Sequence, residues 1–283
     1  MRIDPLTDKL IVLSLREDLG RRGDVTTRCF LPKNTRFKAR ILCKSDGVLC
    51  GVPVVNAVFR RVCPRAVIAW RVKDGERVRK GAVVARVTGP REILTAERTA
   101  LNFLQQLSGI ATLTRAFVER AGGSRTRIYD TRKTLPGWRT LAKYAVRAGG
   151  GANHRMGLYD MAMLKDNHMD GLSAEDLKRR IRAFRRRYPR VPVEIEARDR
   201  GEIDKALAVR ADVVLLDNMR PAALAREIRH IRRAAPRTQI EISGGVDLRA
   251  VQRLARLGAD RISVGRLTHS APALDISMKL EGS

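Results

Sequence analysis

The sequence predicts an α/β protein with an N-terminal α+β part and a C-terminal series of parallel β/α units. Three observations lead there. From about residue 127, short β-forming runs alternate with helical segments, the pattern of parallel βα repeats. The last four runs start about 20–27 residues apart, a normal βα spacing. Every run also ends on a chemically loaded residue: Arg132 and Lys133, then Lys165, Glu196, Asp217, Ser243-Gly244-Gly245 and Gly265. In a parallel β/α barrel the carboxyl ends of the strands converge on one mouth, so six loaded ends in succession argue for one active site.

Taken in order, the first hundred residues read as mixed α and β. A helix is expected over 6–19, with a turn at 20–24. Short β-rich stretches follow at 37–42, 48–52, 66–72 and 82–87, punctuated by Gly47, Gly51, Gly75, Gly81 and Gly89. The segment V-K-D-G-E-R-V-R-K-G-A-V-V-A-R-V-T-G (72–89) resembles the hairpins of barrel-sandwich modules. It lacks the exposed lysine of a lipoyl or biotin carrier, so it reads as scaffold. Thr95 is expected to cap the next helix, whose apolar stripe is Leu101, Leu104 and Leu107. Arg98 then falls in the first turn, where a cation opposes the helix dipole. Both a functional arginine and a surface arginine without a role fit that position.

The β runs of the second part lie at 127–131, 161–164, 193–195, 213–216, 239–242 and 261–264. Helices are expected around 141–148, 174–188, 202–207, 222–234 and 248–257. In the second of these, Leu177, Ile181, Phe184 and Tyr188 recur at helical spacing, and Ser173 with Asp176 gives a capping signal. The arginines between them predict an amphipathic helix with a solvated, Arg-rich outer face.

The chain has 283 residues and a mass of 31.6 kDa, suited to one or two domains, and is 44% hydrophobic, enough for a sizeable core. Disorder over the whole chain is excluded. Lys and Arg number 57, of which 45 are Arg, against 30 Asp and Glu, for a net charge of +27. Such a field attracts anions, whether nucleic acid, phosphorylated metabolites or acidic partners. The bases run from Arg2 to Lys279 without a basic tail, and aromatics are only 4%, which leaves little for stacking on single strands. Cys29, Cys43, Cys50 and Cys63 form no C-x-x-C pair, as expected of free thiols in a reducing compartment. No apolar run approaches the ~18 residues of a spanning helix. The N-terminus lacks a signal-peptide core. A cytoplasmic protein without a membrane partner is expected.

The loaded strand ends suggest a chemistry. Glycines in S-G-G-V (243–246) and V-G-R-L-T-H-S (264–270) open backbone N–H groups to a ligand, the usual phosphate grip of a β/α barrel. Two tight turns would use the same residues. Glu196 and Asp217 end adjacent strands, and two carboxylates facing a phosphate loop suit Mg²⁺ or the cis hydroxyls of a ribose. Arg132, Lys133, His154, Arg155 and Lys165 make the other side of the mouth cationic. A pair of arginines reads a planar carboxylate or phosphate in bidentate fashion. His154 also fits a satisfied structural histidine, although it stands beside Arg155 and follows the glycines at 149–151.

Nine segments carry a resemblance to a known family. They are E-D-L-G-R-R-G-D-V-T-T (17–27), A-E-R-T-A-L-N-F-L-Q-Q-L-S-G-I-A-T (96–112), D-T-R-K-T-L-P-G-W-R (130–139), K-Y-A-V-R-A-G-G-G-A-N-H-R-M-G-L-Y-D (143–160), L-K-D-N-H (164–168), V-E-I-E (193–196), L-L-D-N-M (215–219), E-I-S-G-G-V (241–246) and V-G-R-L-T-H-S (264–270). In this order, over nearly the whole chain, they resemble quinolinate phosphoribosyltransferase, also called nicotinate-nucleotide pyrophosphorylase (carboxylating). Trp138, where the family commonly has Leu, is a departure in a loop-like stretch.

The resemblance implies conversion of quinolinate and phosphoribosyl pyrophosphate (PRPP) to nicotinate mononucleotide, pyrophosphate and CO₂, a step of de novo NAD biosynthesis, with Mg²⁺ as the cofactor. It implies an N-terminal α/β domain over 1–110, an incomplete, about seven-stranded β/α barrel over 111–270, and a C-terminal tail over 271–283. Residues 153–156 are the candidate seventh strand. It further implies a homodimer, or a higher oligomer, with shared active sites. Quinolinate's carboxylates should meet Arg98 of the other subunit, Arg132, His154, Arg155 and Lys165. Lys133 should lie near the pyrophosphate, and Glu196 and Asp217 should hold the ribose hydroxyls and Mg²⁺. Ser243, Gly244, Gly245, Gly265 and His269 should cradle the ribose phosphate. Lys133, Lys165, Glu196 and Asp217 form the expected catalytic set. A related protein encoded beside molybdate transporters shares D-T-R-K and H-R-x-G-L but departs at the K-D-N-H strand end, which is intact here as Lys165-Asp166-Asn167-His168. A basic nucleic-acid-binding protein is the alternative of another class and rests on net charge alone.

Overall fold

The computed structural model describes residues 2–281. Its strands in chain order are β1 (Arg36–Cys43), β2 (Gly47–Val48), β3 (Val67–Trp70), β4 (Arg77–Val78), β5 (Val83–Pro90), β6 (Arg127–Tyr129), β7 (Ala162–Leu164), β8 (Val193–Ala197), β9 (Val213–Asp217), β10 (Gln239–Ser243), β11 (Arg261–Ser263) and β12 (Ile276–Leu280). They fall into two units. The first gathers residues 2–115, 134–150 and 266–281, and the second 116–133 and 151–265. Each unit thus draws on separate stretches of the chain.

In the first unit an antiparallel sheet runs in the order β12-β1-β5-β3. The expected leading helix is Pro5–Leu19, with Asp4 accepting from the backbone N–H groups of Leu6 and Thr7 and a proline in its first turn. A second helix, Val25–Phe30, follows the turn, and Asp24 caps it through Thr27 N. The strand expected over 48–52 shrinks to Gly47–Val48, because Asp74 Oδ1 accepts from Gly51 N and Val52 N at 2.9 and 3.1 Å. Those bonds hold the start of a helix over Val52–Val62.

The long helix Ile93–Arg120 begins two residues before Thr95. Thr95 is therefore not its cap; its hydroxyl donates to Asp24 Oδ2 at 2.8 Å. Arg98 accordingly stands beyond the first turn, so the helix-dipole argument for it lapses; it remains exposed. Leu101, Leu104 and Leu107 are buried as expected. Trp138 stacks on Phe103 with ring centroids 5.1 Å apart and planes 18° from parallel.

The chain's end is not a tail. Residues 276–280 pair antiparallel with β1, from Cys43 opposite Ile276 to Ala39 opposite Leu280, and Ile276 and Met278 are buried by the period-two alternation of a strand. Residues 282 and 283 lie outside the described residues. Gln105 Nε2 donates to Ile276 O at 2.7 Å, and Leu274 N donates to Gln105 O at 3.0 Å.

The second unit is a parallel sheet in the order β6-β11-β10-β9-β8-β7. That is the circular strand order of a β/α barrel with its seam between β6 and β7. The seventh strand expected at 153–156 is reduced to one parallel bridge between Ala152 and Tyr129. Ala152 N donates to Ile128 O at 2.7 Å and Asp130 N donates to Ala152 O at 3.1 Å. The next donor in line, His154 N, goes instead to the Asp130 carboxylate at 2.8 Å, which ends the ladder. The amphipathic helix is Ala174–Arg187, with Ser173 as its cap and Leu177 and Ile181 buried.

Glycine at position 109 is required by close approach. A Cβ there would stand 2.0 Å from Pro272 O and 3.0 Å from Ala273 Cα, both backbone atoms that cannot rotate away. Gly109→Ala should therefore push the segment leading into β12 off the helix and cost about 1–3 kcal/mol, the overpacking range. Gly81→Ala meets no atom within 4 Å and carries only the strain of a φ of +84°. Thermal melts of the two variants check this: the expected result is a much larger loss for Gly109→Ala.

Candidate active site

The register of the parallel sheet assembles the site. Ser243 pairs with Asp217 across β10 and β9. Leu164 pairs with Ile195, so Lys165, the next residue, falls beside Glu196. Accordingly Lys165 Nζ forms an ion pair with Glu196 Oε2. Glu196 is nearly buried and Lys165 is half-exposed.

The loops after β9 and β10 are shaped by two left-handed residues. Asn218 has φ +52° and its N–H donates to Ser243 O at 3.1 Å, while its Nδ2 donates to Asp217 Oδ2 at 2.6 Å. Gly244 has φ +100°, and a Cβ there would lie 2.2 Å from Asn218 Oδ1. Only glycine lets the two loops approach this closely, which keeps the Ser243-Gly244-Gly245 backbone beside Asp217.

On the cationic side, β6 runs directly into Asp130, Thr131, Arg132 and Lys133. Asp130 is fully buried, and through His154 N it ties the strand end to the His154-Arg155 turn. Lys133 is exposed and its N–H donates to Thr131 Oγ1 at 3.1 Å. The Arg155 guanidinium donates to Met161 O at 3.0 Å. Burial and the nearby charge of Arg132 both lower the hold of Arg155 on its proton. Two guanidiniums standing side by side are unfavourable in themselves and favour an anion between them.

His154 has a different setting from the other cations. Its ring is buried, and Nδ1 accepts from Arg155 N at 2.7 Å. Nε2 lies 3.2 Å from Glu194 Oε2 and 3.3 Å from Glu241 Oε1. Both ring nitrogens thus face protein groups in this structure. Burial works against charge on this imidazole, but the two glutamates outweigh it and push it up to about 9. Burial in turn pushes the Glu194 carboxyl up, against the opposing pull of His154. A backbone N–H can only donate, so Nδ1 is the acceptor and Nε2 carries the ring proton. The Arg155 N–H at Nδ1 opposes the second ring proton that the two glutamates favour.

Sequence reasoning passed over Asp130, Glu194, Glu241 and Ser263. The signal for two of them was present: Glu194 stands two residues before Glu196, and Glu241 two before Ser243. In a strand such pairs share a face, so both glutamates lie on the barrel-interior face, one layer below the mouth. Arg132, Lys133, Lys165, Glu196, Asp217, Ser243, Gly244, Gly245 and Gly265 lie in the second unit, at or just after the carboxyl ends of its strands, and Arg155 lies in the same unit, three residues after the Ala152 bridge. Arg98 and His269 are carried by the first unit. His269 is exposed, with Nδ1 2.5 Å from Ser270 Oγ.

Known proteins share this whole arrangement. Residues 24–108 match the model of the quinolinate phosphoribosyl transferase N-terminal domain, and residues 110–279 that of its C-terminal domain. The nicotinate-nucleotide pyrophosphorylase (carboxylating) of Mycobacterium leprae is 40% identical over 272 residues, 94% of each chain. The chloroplastic enzyme of that name from Arabidopsis thaliana is 38% identical, over 96% of this chain and 82% of its own length. The solved structure of the nicotinate-nucleotide pyrophosphorylase from Francisella tularensis superposes with a TM-score of 0.91 at 34% identity, over 98% of this chain and 96% of that one. With both domains matched and relatives of up to 40% identity over nearly the whole chain, the chain belongs to the quinolinate phosphoribosyltransferase family.

Proposed function

We propose that this chain transfers the phosphoribosyl group of PRPP to quinolinate with loss of CO₂, giving nicotinate mononucleotide and pyrophosphate for NAD biosynthesis. Family membership supports the reaction. The feature that supports the reading at the site is that Arg132, Arg155 and Lys165 lie in the same unit as the neighbouring strand-end carboxylates Glu196 and Asp217. A dicarboxylate answers the first group and a ribose the second.

Arg132, Arg155 and Lys165, with Arg98 from a second copy of the chain, hold the quinolinate carboxylates. Lys133 stands by the pyrophosphate. Ser243, Gly244, Gly245, Gly265 and His269 hold the ribose phosphate. As pyrophosphate leaves, positive charge develops at the ribose C1, and Glu196 and Asp217 stabilise and orient the sugar. The quinolinate nitrogen attacks C1 and becomes quaternary. That positive ring nitrogen stabilises the carbanion left when the C2 carboxylate departs as CO₂, and a proton from water then takes its place on C2. The residues supply orientation and charge placement.

Glu196 and Asp217 offer hard carboxylate oxygens at neighbouring strand ends, the donor chemistry that Mg²⁺ takes. Bound there, Mg²⁺ would neutralise charge building on the leaving group. Four free cysteines, three of them buried, support a reducing cytoplasmic setting. Among the described residues, no helix is long and apolar enough to cross a membrane.

Quinolinate should be turned over and nicotinate hardly at all, because nicotinate leaves the cations for the C2 carboxylate unpaired. Release of CO₂ from quinolinate with PRPP and Mg²⁺ measures this. Comparable kcat/KM for the two acids would overturn the assignment.

Asp217→Asn and Glu196→Gln should each lower kcat more than tenfold, about 1.4 kcal/mol of transition-state stabilisation, with little change in Tm. Full activity in both would make these carboxylates structural.

Shared sites predict complementation. Arg98→Ala and Lys165→Ala homodimers should both be nearly inactive. Exchanging their subunits makes about half heterodimers with one intact site each, so about a quarter of the original activity should return. A mixture that stays inactive despite verified exchange would place Arg98 within its own chain's site or in none.

A further inference from the structure

Beneath the mouth lies a buried polar layer that the chemistry above does not use. Glu194 and Glu241 are both 0% exposed. Each stands one interior layer below a mouth residue, Glu196 and Ser243 respectively. His154 Nε2 points between them at 3.2 and 3.3 Å. Ser263 Oγ donates to Glu241 Oε1 at 2.5 Å, and Arg261 Nη1 lies 3.9 Å from Glu241 Oε2. The Tyr129 ring meets the His154 ring edge-on, at 6.5 Å and 82°.

Burying two carboxyl groups costs several kcal/mol unless each is hydrogen-bonded or paired. An interior built only for stability would hold Leu or Val here, as Leu215 and Val213 do on the intervening strand β9. The glutamates converge on one imidazole, and that imidazole meets the site at one place: Nδ1 accepts from the backbone of Arg155. From the other direction, Asp130 holds His154 N two residues before Arg132. The backbone of Arg155 and, through Asp130, the segment that leads to Arg132 are thus both tied to His154.

The three donor atoms lie within 4.8 Å of one another, as the ligands of a cation would. Nε2, however, carries the ring hydrogen, and Glu241 is already engaged by Ser263 and Arg261. The cluster has the character of an ion-pair hub, with the imidazole edge between two buried carboxylates.

We propose that Glu194 and Glu241 are positioning residues for quinolinate recognition. They lock His154 in one tautomer and one orientation, and His154 in turn keeps Arg155 beside Arg132 against their mutual repulsion. The proposal rests on the reading of Arg132 and Arg155 as the carboxylate site. It predicts that substitutions deep in the barrel act on one substrate and not on the other.

The test uses Glu194→Gln and Glu241→Gln, which keep shape and remove charge, with steady-state kinetics of the whole enzyme. Each should raise the KM for quinolinate at least tenfold and leave the KM for PRPP within twofold. In a His154→Ala background the same substitutions should add less than twofold, since they act through the ring. Equal changes in both KM values, no change in either, or full additivity with His154→Ala would overturn the proposal. Arg155→Ala separates the two readings. If it leaves the quinolinate KM unaltered, the carboxylate site itself is misassigned and the proposal falls with it. If it raises that KM while the glutamate variants do not, only the positioning role falls.

Should the glutamate variants fail to fold, ring ¹⁵N shifts of His154 in the unaltered protein decide. A protonated Nε2 and an unprotonated Nδ1 are expected. A protonated Nδ1, or about one zinc ion per chain retained on purification and lost with His154→Ala, would overturn it.

Discussion

Lys165 can stand beside Glu196, and Ser243 beside Asp217, only because six strands run the same way and pair without a slip. A shift of one residue in any ladder would turn the loaded residue of that strand away from the barrel interior and toward the helices. Register is protected by what lies on the other face. Val193, Ile195 and Ala197 of β8 are buried there, as are Ile240 and Ile242 of β10, so a slip would bury glutamates among the helices. The apolar face thus fixes the position of the polar one. The carboxylates need no long-range device to come together, since they are neighbours by construction.

Much of this was legible in the sequence. The six β runs of the second unit and the residues that end them could be read from alternation, spacing and turn residues. The strand ends carry most of the candidate site, and these the primary structure declares. What escaped reading depends on tertiary partners. The Val52–Val62 helix is started by a carboxylate twenty-two residues away from Val52, and no local propensity shows Asp74 turning toward it. Thr95 has the right type for a cap but finds Asp24 instead. The seventh strand is cut short by a side chain, Asp130, that intercepts the backbone donor of His154. The glutamates that face the His154 ring come from other strands, and no local pattern brings them to it. A one-dimensional pattern shows that a histidine stands beside an arginine, but not which way its ring is turned.

The abundance of arginine has a structural side. Arg91 is buried and its guanidinium reaches the carbonyls of Thr27 and Leu31. Arg115 donates to Gly149 O and Gly75 O at 2.9 and 3.3 Å. Arg185, in the stretch that reads as a solvated face, donates to Val209 O and Arg210 O at 3.2 and 2.5 Å, where the preceding helix leaves its last carbonyls open. Arg232 does the same for Thr238 O and Gly258 O, both at 3.1 Å. A planar fork with five N–H donors can satisfy two carbonyls at once, which a lysine ammonium does less well. Part of the positive field is therefore a by-product of closing loops and helix ends.

The strand order of the first unit has a consequence for how the chain comes to fold. β1 is made early and β12 last, yet the two are neighbours in one sheet. Through synthesis of everything between them, one edge of β1 waits with its backbone donors and acceptors unclaimed, an open template for another chain. Contacts so distant in sequence form slowly, because the loop must close before the pairing rewards it. Until β12 is made, that edge stays open to wrong pairing, and a chain without β12 keeps it exposed.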